Sequence, residues 1–142
     1  MAVRNAEAVW TGSLKEGQGE MRFGAFEGDY TYSSRFEEGE GTNPEELIGA
    51  AHAGCYSMAL SADLGRAGFE PKEITTKAEV HLGKVDGKSR ITKIHLSTVA
   101  RVPDISEDRF MEIAEGAKEG CPVSNALGGV PEITLDAELV RS

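Results

Sequence analysis

The chain contains only two cysteines, and each sits in a distinctive local sequence. Cys55 closes Asn43-Pro44-Glu45-Glu46-Leu47-Ile48-Gly49-Ala50-Ala51-His52-Ala53-Gly54-Cys55, and Cys121 opens Cys121-Pro122-Val123-Ser124-Asn125-Ala126-Leu127 after Gly120. Both stretches read as the starts or middles of helices. A thiol near a helix N-terminus feels the positive end of the helix dipole, which favours the thiolate, the nucleophilic and metal-ligating form. His52 lies three residues before Cys55, hence on the same helix face. With the two cysteines it can supply a His/Cys/Cys zinc set, although neither a fourth ligand nor a Cys-x-x-Cys pair accompanies it. Placed this way, the thiols point to chemistry rather than to space-filling.

The composition narrows the setting. The 142 residues fit one domain over 1–142, and a hydrophobic content of 39% suffices for a core. Aromatics are scarce, so that core rests on Ala, Val, Ile, Leu and Met. A formal net charge of −9 argues against nucleic acid, whose phosphates need a basic footprint, and against anionic membrane surfaces. No apolar run approaches the roughly 20 residues of a membrane span, and Met1-Ala2-Val3-Arg4-Asn5 carries no apolar signal core. The expected location is the cytoplasm. There a cysteine pair is more often catalytic, redox-active or metal-binding than a lasting structural disulfide.

The elements that must position these residues follow from pattern. Residues 7–14 read as a strand and 15–19 as a turn. Residues 20–26 and 29–36 read as two more strands around a Glu27-Gly28-Asp29 hairpin signal. Residues 37–42, with Glu37, Glu38 and Glu40, form an exposed loop. Asn43 is a good N-cap, Pro44 suits a first helical position, and Glu45 and Glu46 complement the dipole, so a long helix starts here. Ile48, Ala51, Cys55, Met58, Ala59 and Ala62 recur at helical spacing as its buried stripe. Gly65 and Gly68 mark its end. Residues 73–84 and 89–102 alternate as strands about an Asp86-Gly87 turn. His81 and His95 fall on them as surface or packing residues. Ser106 caps a helix over 107–118 with Phe110, Ile113, Ala114 and Ala117 inward. Cys121-Pro122 begins a short helix, and 131–140 is a last strand. Three strands, a helix, two strands, two helices and a strand make an α+β fold with antiparallel sheets.

These residues resemble the OsmC family, within the wider OsmC/Ohr group of thiol peroxidases. The matching pieces are Asn43 to Cys55 with Tyr56-Ser57-Met58-Ala59-Leu60, Gly120-Cys121-Pro122-Val123-Ser124 and Glu132-Ile133-Thr134-Leu135-Asp136. Trp10-x-Gly12 and Gly17-x-Gly19 also fit, so the similarity runs nearly end to end. The resemblance implies sheets packed on a long central helix in an intertwined homodimer. It also implies reduction of organic hydroperoxides and hydrogen peroxide. Cys55 would attack the peroxide, Cys121 would resolve the product, and a dithiol of the dihydrolipoyl type would restore the thiols. Glu45 matches the family's acid and Arg35 the arginine of the OsmC branch. The organic-hydroperoxide-specific branch takes its arginine from an earlier hairpin, where this chain offers Arg22.

The chemistry makes sense of that set. A thiolate that attacks one peroxide oxygen becomes a sulfenic acid, and a second thiol condenses with it to a disulfide. An Arg beside the sulfur lowers the thiol pKa and steadies charge on the leaving oxygen. A carboxylate alone there would raise the thiol pKa, so Glu45 makes sense only with Arg35. Neither a metal nor an organic cofactor is required. Glu45 and Cys55 stand ten residues apart on one expected helix, about 15 Å along its axis at 1.5 Å per residue. That distance favours Arg35 and Glu45 serving the Cys55 of a partner chain, with Gly49, Ala50, Ala51, Ala53 and Gly54 allowing close helix approach. The reading from another class is a non-enzymatic metal- or small-ligand-binding domain built on His52, Cys55 and Cys121.

Overall fold

The computed structural model describes residues 2–140; Met1, Arg141 and Ser142 lie outside the described residues. By contact density the chain divides after Leu47 into two compact units. The first holds strands β1 (Glu7–Thr11), β2 (Gln18–Phe23) and β3 (Phe26–Tyr30), then a five-residue helix α1 (Tyr32–Phe36). The strands pair antiparallel in the order β1-β2-β3.

Two expectations fail in this stretch. The β2–β3 turn is not at Glu27-Gly28-Asp29, which lie within β3, but at Gly24-Ala25, where Gly24 takes φ +55°. Residues 32–36 are helix rather than strand. Thr31 and Ser34 form a reciprocal capping box, in which each side chain bonds the other residue's backbone N–H. That satisfies the first-turn donors and outweighs the β propensity of the flanking aromatics.

Helix α2 (Pro44–Arg66) begins as its sequence indicates: the Asn43 side-chain oxygen accepts from the Glu46 N–H at 2.7 Å. It runs unbroken through Gly49. That glycine serves close packing, since a Cβ there would meet Val80 Cγ2 at 3.3 Å and Ala78 Cβ at 3.7 Å. The buried face in the second unit is His52, Tyr56, Leu60 and Leu64, an i, i+4 series. The expected stripe is displaced. Ile48, Cys55 and Ala59 only flank the core, and Met58 is 77% exposed. Two residues with polar atoms occupy the inner face with partners there: Tyr56 donates to the Ala114 carbonyl at 2.9 Å, and His52 meets Ser124 through Nε2.

The remaining elements of this unit are β4 (Glu73–Val85), β5 (Lys88–Arg101), α3 (Glu107–Gly120), α4 (Pro122–Ala126) and β6 (Glu132–Val140). Asp86 and Gly87 turn β4 into β5 with φ of +53° and +78°, the conformation of a two-residue hairpin whose twist matches its strands. The sheet order is β4-β5-β6, and β6 runs parallel to β5. The expectation of purely antiparallel sheets is therefore corrected. The chain crosses over through α3 and α4 between β5 and β6, and a crossover of that length permits parallel pairing. His95 on β5 bonds Thr134 and Asp136 of β6 across this pair.

The core of the second unit gathers Tyr56, Leu60 and Leu64 of α2, Ile94, Leu96 and Ala100 of β5, and Phe110, Ala114 and Ala117 of α3. Among the described residues, no helix is long and apolar enough to cross a membrane. Leu60 is fully buried at the centre of this packing. Leu60→Ala is expected to destabilise the protein by about 2–5 kcal/mol, the range for emptying such a site. Urea unfolding measures it, and a shift below 1 kcal/mol would mean the site collapses around the gap.

Candidate active site

The sequence-marked residues form two pairs, one in each unit. In the first unit, α1 carries Arg35 and the first turn of α2 carries Glu45. The short α1 is held by more than its capping box. The Ser34 hydroxyl donates to the Thr42 carbonyl at 2.8 Å, and the Asn43 side chain donates to the Ser34 carbonyl at 3.0 Å. These ties fix α1 against the start of α2 and bring the two side chains together. Arg35 donates from Nε to Glu45 Oε1 at 3.0 Å and from Nη2 to Oε2 at 2.8 Å. This is the parallel two-bond geometry in which guanidinium and carboxylate match best. Glu45 is buried, whereas the Arg35 side chain keeps 36% of its surface open, and the guanidinium stacks 5.1 Å above the Phe36 ring. The hydrogen bonds to Glu45 push the Arg35 pKa up, so it is a permanent cation. Arg22 is held differently. It sits on β2 among Glu7, Glu20 and Glu27 at 3.4, 3.3 and 4.0 Å, all half-exposed. An exposed cation shared among three mobile carboxylates is poorly preorganised.

In the second unit, Cys55 in the middle of α2 and Cys121 at the N-cap of α4 come together despite their separation in sequence. Both thiols are free, Cys121 fully buried and Cys55 partly open. Cys121 belongs to the buried cluster and Cys55 packs against that cluster, near enough for each thiol to influence the other's ionisation. Burial pushes the Cys55 thiol up, and donation of its S–H toward Cys121 raises it further; the Val123 N–H opposes this. Burial pushes Cys121 up as well, but hydrogen bonds from Cys55, from the Ser124 N–H and hydroxyl, and from the Val123 N–H more than offset it. The net direction for Cys121 is down. The thiolate expected from a helix N-terminus has its physical basis at Cys121, the N-cap of α4, whereas Cys55 stands too far from the α2 N-terminus to feel its dipole.

The zinc arrangement drawn from His52, Cys55 and Cys121 is not assembled. Among the described residues, no three His, Cys, Asp or Glu side chains are grouped to hold a metal ion, and His52 turns its Nε2 to the Ser124 hydroxyl at 2.6 Å. Ser124 escaped the sequence reading. The available signal was its place three residues after Cys121, at the third helical position of α4.

Comparison with known proteins gives the family of the chain. The OsmC-like protein family matches residues 37–136, a span that holds Glu45, Cys55 and Cys121 and begins just after Arg35. The chain is 49% identical over 139 residues to peroxiredoxin OsmC of Escherichia coli, covering 96% of each. It is 30% identical over 98 residues to the organic hydroperoxide resistance protein of Xanthomonas axonopodis pv. citri, covering 68% of this chain and 67% of that one. Among solved structures, the organic hydroperoxide resistance protein OhrB of Bacillus subtilis superposes with a TM-score of 0.68 at 25% identity, covering 98% of this chain and 100% of that one. A mixed α+β architecture with two small sheets, paired free cysteines and a match over most of its length leave one assignment: the chain belongs to the OsmC family.

Proposed function

We propose that the protein is a cytoplasmic, one-domain thiol peroxidase that reduces organic hydroperoxides and hydrogen peroxide. The observation that carries this reading is the placement of Cys55 and Cys121 as free thiols at one buried cluster, each influencing the other's ionisation. The relatives named for peroxiredoxin and hydroperoxide-resistance activity support the same class.

The Cys55 thiolate attacks the terminal peroxide oxygen; a sulfur–oxygen bond forms, the oxygen–oxygen bond breaks, and the alkoxide leaves as alcohol after taking a proton. Cys55 is now a sulfenic acid. Cys121 attacks that sulfur, the disulfide forms, the sulfur–oxygen bond breaks, and hydroxide leaves as water. A dithiol, such as one of the dihydrolipoyl type, then exchanges with the disulfide, restoring both thiols and becoming oxidised itself. No metal or organic cofactor enters.

Because burial holds the Cys55 proton, the first step needs a cation to favour the thiolate. Arg35, oriented by Glu45, suits that task better than Arg22, whose charge is spread among three exposed carboxylates. The Arg35 face left open can also hold negative charge developing on the leaving oxygen. In our reading the protein is a homodimer, and each Cys55 is served by the Arg35–Glu45 pair of the partner chain. The unbroken course of α2 between Glu45 and Cys55 and the exposure of Met58 support this.

Peroxide consumption is measured with cumene hydroperoxide and with hydrogen peroxide, each with dihydrolipoamide, dithiothreitol or a monothiol. Turnover is expected with the dithiols, and one equivalent of peroxide should yield an intrachain Cys55–Cys121 disulfide on non-reducing peptide mapping. No consumption with any reductant, together with stoichiometric metal in elemental analysis, would transfer the protein to the ligand-binding class.

A further inference from the structure

The peroxidase steps leave one buried titratable side chain without a task. His52 is fully enclosed, its Nε2 lies 2.6 Å from Ser124 Oγ, and its buried Nδ1 has no partner among the described residues. Burial pushes its pKa below the usual imidazole value, so the ring is neutral and carries a single N–H. Two observations choose the same nitrogen for that proton. A bare ring nitrogen is the less costly group to leave unpaired, whereas a buried orphan N–H is rare; this puts the proton on Nε2. A hydroxyl has one proton to give, and Ser124, the third helical residue after the α4 cap Cys121, is the neighbouring hydroxyl that favours the Cys121 thiolate. If Nε2 were the acceptor, Ser124 would spend that proton on His52 and have none for the sulfur.

We propose that His52 is a positioning residue for the resolving step: its Nε2–H anchors Ser124 Oγ, so that the Ser124 O–H points at Cys121 Sγ and holds it as the thiolate that attacks the Cys55 sulfenic acid. This rests on the reading of Cys121 as the resolving thiol. The relay moves no net proton. Cys121 gives up its proton before attack, the sulfur–sulfur bond forms as the sulfur–oxygen bond of Cys55 breaks, and the departing hydroxide takes a proton to leave as water. The groups that face Cys121 are the Cys55 thiol of α2 and the Val123 and Ser124 amides of α4. Tyr56 of α2 also feels its charge, but its hydroxyl is committed to the Ala114 carbonyl of α3. His52 and Ser124 thus make the only side-chain chain of donors leading to the sulfur among the described residues other than Cys55 itself.

The test compares His52→Leu, His52→Gln and Ser124→Ala with wild type. Gln retains a terminal N–H donor at the reach of Nε2, and Leu does not. First, each change is placed in the Cys55→Ser chain, and Cys121 is titrated by its ultraviolet thiolate absorbance. The Leu and Ala variants should raise the midpoint by about one pH unit or more, the loss of one hydrogen bond to a charged group; Gln should restore most of it. Second, in chains with both cysteines, disulfide formation after one equivalent of peroxide should slow about tenfold in the Leu and Ala variants, by the same free energy. Sulfenic acid trapped by dimedone should accumulate. Equal midpoints in Leu, Gln and wild type, or equal losses in Leu and Gln, overturn the proposal. If His52→Leu fails to fold, Ser124→Ala and Gln still decide it. A wild type that forms no disulfide would sink the resolving role of Cys121, whereas the titration, which uses no peroxide, separately tests the relay.

Discussion

Cys55→Ser is expected to reduce peroxide no faster than the background, while Cys121→Ser completes one turnover and then stops. The asymmetry follows from the order of the two sulfur steps. A serine hydroxyl in place of the Cys55 thiol ionises far less readily and cannot form the sulfenic acid, so nothing downstream begins. With Cys121 replaced, the first step keeps its nucleophile, and one oxygen is transferred to Cys55. No second thiol exists in the chain to condense with the sulfenic acid. Further peroxide therefore drives Cys55 up the oxidation ladder to sulfinic and sulfonic acid. Mass spectrometry after one and then ten equivalents of peroxide reads this directly. The reversed pattern has a physical basis worth testing, because Cys121 is the thiol with the lowered pKa within one chain. A single turnover by Cys55→Ser, with the oxidised mass on Cys121, would exchange the two roles.

Much of the site was legible in the sequence because its signals are local. Asn43-Pro44-Glu45-Glu46 specifies a helix start, and the Asn43 cap forms as its residue types require. Asp86-Gly87 fixes the β4–β5 hairpin, and the inward face of α3 falls on Phe110, Ile113, Ala114 and Ala117 as its periodicity indicates. The misses have equally specific causes. Residues 32–36 read as part of a strand after the Glu27-Gly28-Asp29 hairpin signal, but helix or strand was decided by a pair of hydroxyls at Thr31 and Ser34. The buried face of α2 was misplaced because apolar periodicity assigns polar residues outward. His52 and Tyr56 face inward, where His52 Nε2 finds Ser124 and the Tyr56 hydroxyl finds the Ala114 carbonyl, both distant in sequence. The direction of β6 depends on how α3 and α4 cross over, and no residue in β6 encodes that. The meeting of Cys55 with Cys121 came from the family resemblance, not from any local pattern.

Mixing two inactive subunits is expected to restore activity, if the active site is shared between chains as proposed. One subunit is Cys55→Ser, which keeps Arg35 and Glu45. The other is the double variant Arg35→Ala/Glu45→Ala, which keeps both thiols. Alone, the double variant should lose about 10²–10³-fold in peroxide reduction, the usual cost of removing a preorganised charge stabiliser. Removing both members of the ion pair matters for interpretation. Arg35→Ala alone would strand the buried Glu45 carboxylate without its two hydrogen bonds, and the resulting instability would mask the catalytic effect. After exchange, half of a random two-fold mixture is heterodimer, and each heterodimer regains one site: the intact Cys55 of one chain with the intact Arg35–Glu45 pair of the other. Recovery of roughly a quarter of wild-type activity follows for such a mixture. Sites built wholly within one chain predict none, because every chain then lacks either the nucleophile or its cation. Native mass spectrometry verifies the exchange. Verified heterodimers without recovered turnover would return Arg35 and Glu45 to their own chain's Cys55.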